Sequence, residues 1–158
     1  MGIGYGSAHL FAKEGARPAI GAREPRRLEE AAKRIHDETG GDVLPIPADM
    51  SKTEDVKRFV ATAMDHFGRI DALVNVAGSA PGGLIENLTD EQWFEALNLK
   101  FMGYVRSIRE VAPIMIRQGG GASARPKKWR GWWSSCAPRP TPTLLAPWSA
   151  STALSARR

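Results

Sequence analysis

The stretch Ile70-Asp71-Ala72-Leu73-Val74-Asn75-Val76-Ala77-Gly78 decides the fold. Five of its first seven residues are apolar, and Gly68 and Gly78 bound it. That pattern predicts a short buried strand rather than one with a solvated face. The strand ends in a small polar turn, Asn75 to Gly78. In an open α/β sheet, ligands bind just outside the carboxyl ends of the strands. An amide side chain and closely approaching backbone therefore fall where a ligand would lie.

Outward from this strand, helical and extended patterns alternate through residues 1–120. Just upstream, Ser51 and Glu54 have the spacing of a capping box. Val56, Phe59, Val60, Ala63, Met64 and Phe67 then repeat at helical spacing up to a stop at Gly68. Val43-Leu44-Pro45-Ile46 predicts a weaker strand, because proline removes a ladder donor. Pro25 suits the first turn of a helix whose buried stripe is Leu28, Ala31, Ala32 and Ile35, ended by Gly40-Gly41. Ala19-Ile20-Gly21-Ala22 reads as a strand with Pro18 at its start. Ser7 to Glu14 reads as a short helix stopped by Gly15, with Ala8, Phe11 and Ala12 on one face.

Downstream, Thr89 is placed to cap a long helix through about Gln118. Its expected stripe is Trp93, Leu97, Phe101, Tyr104, Val105, Ile108, Ala112 and Met115, and Pro113 is the expected kink. This β-α-β-α order predicts an α/β fold, a doubly wound parallel sheet covered on both faces.

The composition divides near Gly119-Gly120-Gly121. Of the 158 residues, 1–120 hold 15 Lys and Arg against 17 Asp and Glu, a net charge of −2. Residues 121–158 hold 7 basic residues, no acid and five prolines, a net charge of +7. They form a separate low-complexity segment whose prolines oppose regular structure. The single Cys136 excludes a disulfide framework and fits a reducing compartment. No apolar run approaches membrane-spanning length, so a cytoplasmic protein is expected. His9, His36 and His66 stand at no metal-ligand spacing, and no metal site is expected.

The motifs resemble those of the short-chain dehydrogenase/reductases, doubly wound enzymes that move hydride between NAD(P) and an alcohol or carbonyl; 3-oxoacyl-carrier-protein reductases are the most similar type. Gly2-Ile3-Gly4 resembles the end of that family's turn Thr-Gly-x-x-x-Gly-Ile-Gly. Asp49-Met50 resembles its adenine-contacting Asp-Val or Asp-Leu. Asn75-Val76-Ala77-Gly78 resembles Asn-Asn-Ala-Gly, and Trp93 with Asn98 match the helix bearing the active-site Asn. The resemblance covers roughly residues 2–120, as an incomplete Rossmann-like domain.

It implies cofactor contacts at Gly2, Ile3, Gly4, Arg23, Asp49, Met50, Asn75, Ala77 and Gly78, and a catalytic role for Asn98. Asn98 interrupts an apolar segment, which favours a buried polar role. Arg23 follows the second strand of the family pattern, where an acid would bind the ribose hydroxyls of NAD and an arginine accommodates the 2′-phosphate of NADP. NADP is the expected cofactor, with NAD as the alternative. The implied partners are a small alcohol or carbonyl substrate and copies of the same chain.

Three departures stand beside the matches. The family's first strand has no counterpart, which would leave two strand edges unpaired at the centre of the sheet. Its hydride transfer also uses a Tyr with a Lys four residues on, and a Ser. Here Tyr5 and Tyr104 are followed at that spacing by His9 and Ile108. Finally, consider the tail's codons with the last base of each joined to the first two of the next. From Gly121 to Ser134 they permit Arg-Val-Gly-Thr-Pro-Glu-Glu-Val-Ala-Arg-Met-Val-Val, and from Leu145 to Ala153 Gly-Ala-Val-Val-Ser-Val-Asp-Gly. Both resemble the family's C-terminal region, so the segment bearing Ser, Tyr and Lys is read as skipped and translation as resumed out of frame.

The expected activity is therefore family-level oxidoreduction, with this chain inactive as written. The alternatives are a non-catalytic nucleotide-binding remnant or partner of full-length relatives, and a nucleic-acid binder through Lys127, Lys128, Trp129, Arg130, Trp132 and Trp133.

Overall fold

The computed structural model describes residues 2–119 and the backbone of residues 152–156. Helix α1 (Ile3–Lys13) opens the chain, and Gly15, at φ 82°, turns it into strand β1 (Arg17–Ala22). The helix begins four residues earlier than Ser7 and buries Gly4, Tyr5, Ala8 and Ala12, while Phe11 is only half-buried. Helix α2 (Pro25–Thr39) buries Leu28, Ala31, Ala32 and Ile35, the stripe its spacing predicts. It stops at Gly40, whose N–H donates to the His36 carbonyl at 2.7 Å from a left-handed backbone. Strand β2 (Leu44–Pro47) leads to helix α3 (Thr53–Phe67), which ends in the same way at Gly68.

The capping box expected at the head of α3 does not form. Lys52 is the N-cap and makes no side-chain cap. The Ser51 hydroxyl donates instead to Asp49 Oδ1 at 2.7 Å, and Glu54 pairs with Lys57 at 3.0 Å. A nearby carboxylate is a stronger acceptor for the hydroxyl than the helix amides are donors to it.

The central strand is shorter and less covered than expected. Strand β3 (Leu73–Asn75) has three residues, all half-buried, although the flanking Ile70 and Ala77 are buried. Ile70 is held by a residue 48 positions further along the chain. Its N–H donates to Gln118 Oε1 at 3.0 Å and its carbonyl accepts from Gln118 Nε2, as an adjacent strand would arrange.

Strand β4 (Thr152–Ala156) gives the sheet the order β2-β1-β4-β3. β1 and β2 are parallel, with Ala19 opposite Leu44, whereas β4 runs antiparallel to β1 and β3. Two corrections follow. The sheet is mixed rather than wholly parallel, and the inner edges of β1 and β3 are paired, not open. Each offered unpaired N–H and C=O groups, and an extended segment satisfies both rows at once. The remainder of the tail, including the Trp-rich cluster and the region of the frame join, lies outside the described residues.

The sheet is covered on both faces, as a doubly wound fold requires. Ile20 and Ala22 of β1 pack under α1 and α2 with Leu28 and Ile35. Ala19 points the other way, into a cluster of Val56, Phe59, Val60, Ala63, Ile70 and Val111. Full burial of a side chain such as Phe59, Ile35 or Ile70 contributes roughly 1.5–3 kcal/mol. Among the described residues no helix is long and apolar enough to cross a membrane.

Beyond β3, Thr89 caps helix α4 (Asp90–Leu97) in a true capping box with Gln92. A π-helical turn, Asn98–Met102, then joins it to helix α5 (Gly103–Arg117). The helix is irregular at that turn, and Pro113 lies inside α5. The expected stripe holds only in part, with Met115 packed against the core. Trp93, Leu97, Phe101 and Ile108 are exposed, and α5 buries Gly103, Ser107 and Val111. The buried face of α5 is 103, 107 and 111, one position before the expected 104, 108 and 112.

Candidate functional site

Strands β1 and β3 both run opposite to β4, so they are parallel to each other and to β2. Their carboxyl ends lie along one edge. Arg23 follows β1, Asp49 follows β2, and Asn75 closes β3. Helix α1 runs from this edge toward the start of β1, with Gly2 at its N-cap. No side chain caps that end, and the Gly2 carbonyl accepts from Tyr5 N–H at 3.1 Å. Gly4 is buried and Ile3 exposed.

Arg23 and Asp49 are held side by side. The Ala48 N–H donates to the Ala22 carbonyl at 2.9 Å, carrying the β1–β2 pairing past the strand ends. Beyond it opens a cleft of about 330 Å³ lined by Arg23, Ala48, Asp49, Lys52, Asp55 and Arg58, with Pro47 at its wall. Its two carboxylates are turned to internal work. Asp49 Oδ1 accepts from the Ser51 N–H at 3.0 Å and its hydroxyl at 2.7 Å. Asp55 accepts from the Asp49 N–H at 2.8 Å and pairs with Arg58 at 3.0 Å. Arg58 also donates to the Pro47 carbonyl at 2.9 Å. Burial alone would raise the Asp49 pKa. The two Ser51 bonds and the charges of Arg23 and Lys52 outweigh it and hold the carboxyl below its ordinary range.

The same loop carries the other half of the site. Met50 is buried, and Gly103 of α5 sits against its carbonyl, where a Cβ would lie 3.1 Å from the oxygen. A side chain there would require α5 and the Asp49–Met50 loop to give by a few tenths of an ångström. One turn on, Arg106 donates to Asn98 Oδ1 at 2.7 Å, to the Asn98 carbonyl at 3.0 Å and to Thr53 Oγ1 at 3.2 Å. Asn98 is half-buried rather than enclosed, and its amide oxygen is already engaged. Lys100, in the same π turn, lays its side chain over Gly78. A Cβ at Gly78 would lie 3.2 Å from that chain, so a larger residue in the turn after β3 would require the Lys100 side chain to shift.

The short chain dehydrogenase family model matches residues 1–123. The chain belongs to the short-chain dehydrogenase family. It is 38% identical over 120 residues to 11-beta-hydroxysteroid dehydrogenase A of Sesamum indicum, covering 75% of this chain and 34% of that protein. An uncharacterized oxidoreductase of Staphylococcus saprophyticus is 33% identical over 76% of this chain and 48% of its own. Among solved structures, L-sorbose reductase from Gluconobacter frateurii, complexed with NADPH and L-sorbose, superposes with a TM-score of 0.71 at 38% identity. That match covers 76% of this chain and 46% of the reductase. The alcohol dehydrogenase of Thermococcus sibiricus, complexed with 5-hydroxy-NADP, gives 0.70 at 32% identity, over 75% and 51% of the two chains. The chain spans about a third to a half of the curated relatives it matches.

Of the residues singled out in the sequence, the structure brings Arg23, Asp49 and Asn75 to one edge, and Arg23 and Asp49 into one cleft. Sequence reasoning missed Lys52 and Arg58, which line that cleft, and Gly103 and Arg106, which tie α5 to the loop beneath it. An isolated glycine inside a helical pattern was the available signal for Gly103. Nothing local marks Arg106, whose partners lie 8 and 53 residues away.

The tyrosines stand elsewhere. Tyr5 packs from α1 against α2, with the Arg34 guanidinium 5.7 Å from its ring centroid. Burial raises its pKa, reinforced by Glu38 and opposed by Arg34. Tyr104 on α5 is raised by burial as well.

Proposed function

We propose that this chain is the cofactor-binding part of a short-chain dehydrogenase and that it binds NADP(H) along the carboxyl edge of its sheet. The observation that carries the reading is the cleft shared by Arg23 and Asp49, in which the carboxylates are bonded inward and cations face outward. The residues suit the group. Gly2, Ile3 and Gly4 bring backbone N–H groups at the head of α1 to the pyrophosphate. Arg23 takes the 2′-phosphate, Asp49 and Met50 bound the adenine, and Asn75, Ala77 and Gly78 border the path to the nicotinamide. Bound there, the nicotinamide would supply the hydride exchanged with a small alcohol or ketone in a complete enzyme. NADP- and NADPH-complexed neighbours support NADP over NAD.

In this chain the reading is binding without turnover. Proton transfer near neutral pH needs a tyrosine with a lowered pKa, and burial pushes Tyr5 and Tyr104 the other way. Asn98, the family's catalytic asparagine by position, is held by Arg106 as a structural pin at the π turn. The exposed Trp93, Leu97 and Phe101 support contact with a second copy or a full-length relative. Fluorescence titration of the purified chain with NADPH, followed by NADPH oxidation against a panel of ketones, tests the reading. Saturable binding with no carbonyl-dependent oxidation is expected. Turnover at an enzyme-like rate contradicts the inactive reading, and absence of binding contradicts the whole.

A further inference from the structure

Three cations line the Arg23 cleft, and they are not equivalent. Arg58 is committed twice, to Asp55 and to the Pro47 carbonyl. Arg23 and Lys52 have no ion-pair partner among the described residues, and both are exposed at the mouth of the cleft. Lys52 stands at the N-cap of α3, where its side chain makes no cap. Neither carboxylate of the cleft forms an ion pair with it, because Asp49 accepts from Ser51, and Asp55 from the Asp49 N–H and Arg58. The cleft therefore presents a planar fork and a point charge, a pair suited to a doubly charged phosphate.

We propose that Lys52 is a second phosphate-binding residue of this cleft and acts with Arg23 to select a dinucleotide carrying a phosphate on its adenosine ribose. This assignment rests on the NADP(H) reading and deepens it, since that reading names Arg23 alone. Arg23 would grip the phosphate with its fork, and Lys52 would close on it from the α3 side. The charges of both already reach Asp49 across the cleft. Because the site is exposed, the contribution of Lys52 is that of a surface ion pair, about fivefold in affinity, and it falls as salt rises.

The test uses the full chain, titrated with NADPH and separately with NADH by fluorescence or calorimetry, in the wild type, Lys52→Gln and Lys52→Arg. Lys52→Gln is expected to weaken NADPH about fivefold, to leave NADH within twofold, and to reduce the salt dependence of NADPH binding. Lys52→Arg is expected to restore most of the loss. Thermal unfolding of each variant checks that the fold is intact. If the wild type prefers NADPH and Lys52→Gln keeps that preference, or weakens both dinucleotides alike, the Lys52 assignment is overturned and the parent reading stands. If the wild type binds neither dinucleotide, both are overturned.

Discussion

The two edges of the sheet carry clefts of the same size, about 330 Å³ each, and each holds an arginine and an aspartate. At the amino edge Arg17 places two donors on Asp42 Oδ2, at 2.9 and 2.7 Å, and its guanidinium lies 4.6 Å from the Phe67 ring centroid. Thr39 bridges the end of α2, accepting from the Gly41 N–H at 3.1 Å and donating to the Ile35 carbonyl at 2.6 Å. A Cβ on Gly41 would lie 3.0 Å from that of Ala12, so the α1–α2 junction is closed tightly there. At the carboxyl edge the carboxylates face inward, and Arg23 and Lys52 are left facing solvent. An arginine spent on a neighbouring aspartate is a joint, whereas one whose neighbouring acids are already satisfied is available to a ligand.

The comparison can be broken at several points. The strongest perturbation is Ala153→Pro in β4. Proline removes an N–H and cannot sit comfortably in a strand paired on both sides. Because β4 is the strand that joins β1 to β3 among the described residues, both edges should loosen together, seen as lost cooperativity in urea unfolding followed by circular dichroism. Unchanged unfolding would show that β1 and β3 do not depend on β4.

Arg23→Ala separates the edges from the ligand side. It should weaken NADPH binding about tenfold or more, with little change in unfolding midpoint, because Arg23 has no partner in the fold among the described residues. Arg17→Ala should do the reverse. Losing the forked pair and the ring contact costs about 1–2 kcal/mol of stability, discounted for the exposure of Asp42, while NADPH affinity is unchanged. If Arg17→Ala shifted cofactor affinity as much as Arg23→Ala, the division of labour would fail.

The smallest effect is in acid. Asp49 has a lowered pKa in the folded chain, so the stability it contributes is full above the ordinary carboxylate pKa and is lost as pH falls through the depressed folded value. Asp49→Asn should flatten that part of the stability profile between roughly pH 5 and pH 2. An unchanged acid limb would place the linkage on other carboxylates.

Much of this was legible because it is local. The spacing of Leu28, Ala31, Ala32 and Ile35, and the stops at Gly40 and Gly68, each belong to one helix, and the helices obey them. The order of strands and helices then brings Arg23, Asp49 and Asn75 to one edge with no further information. What failed was set by partners remote in sequence or by a change of period. Ser51 preferred Asp49 to the helix amides. The α5 face lies one position from the expected stripe, and the π turn at Asn98–Met102 ahead of it is announced by no periodicity. The filling of the central slot came from Thr152–Ala156, a segment whose composition promised no strand.

The most direct measurement is a calorimetric titration of the wild type, Arg23→Ala and Arg17→Ala with NADPH and NADH. The wild type and Arg17→Ala should prefer NADPH, and Arg23→Ala should lose that preference. Equal affinity for the two dinucleotides in the wild type, or a preference that survives Arg23→Ala, would contradict the carboxyl-edge cleft as the phosphate-reading site.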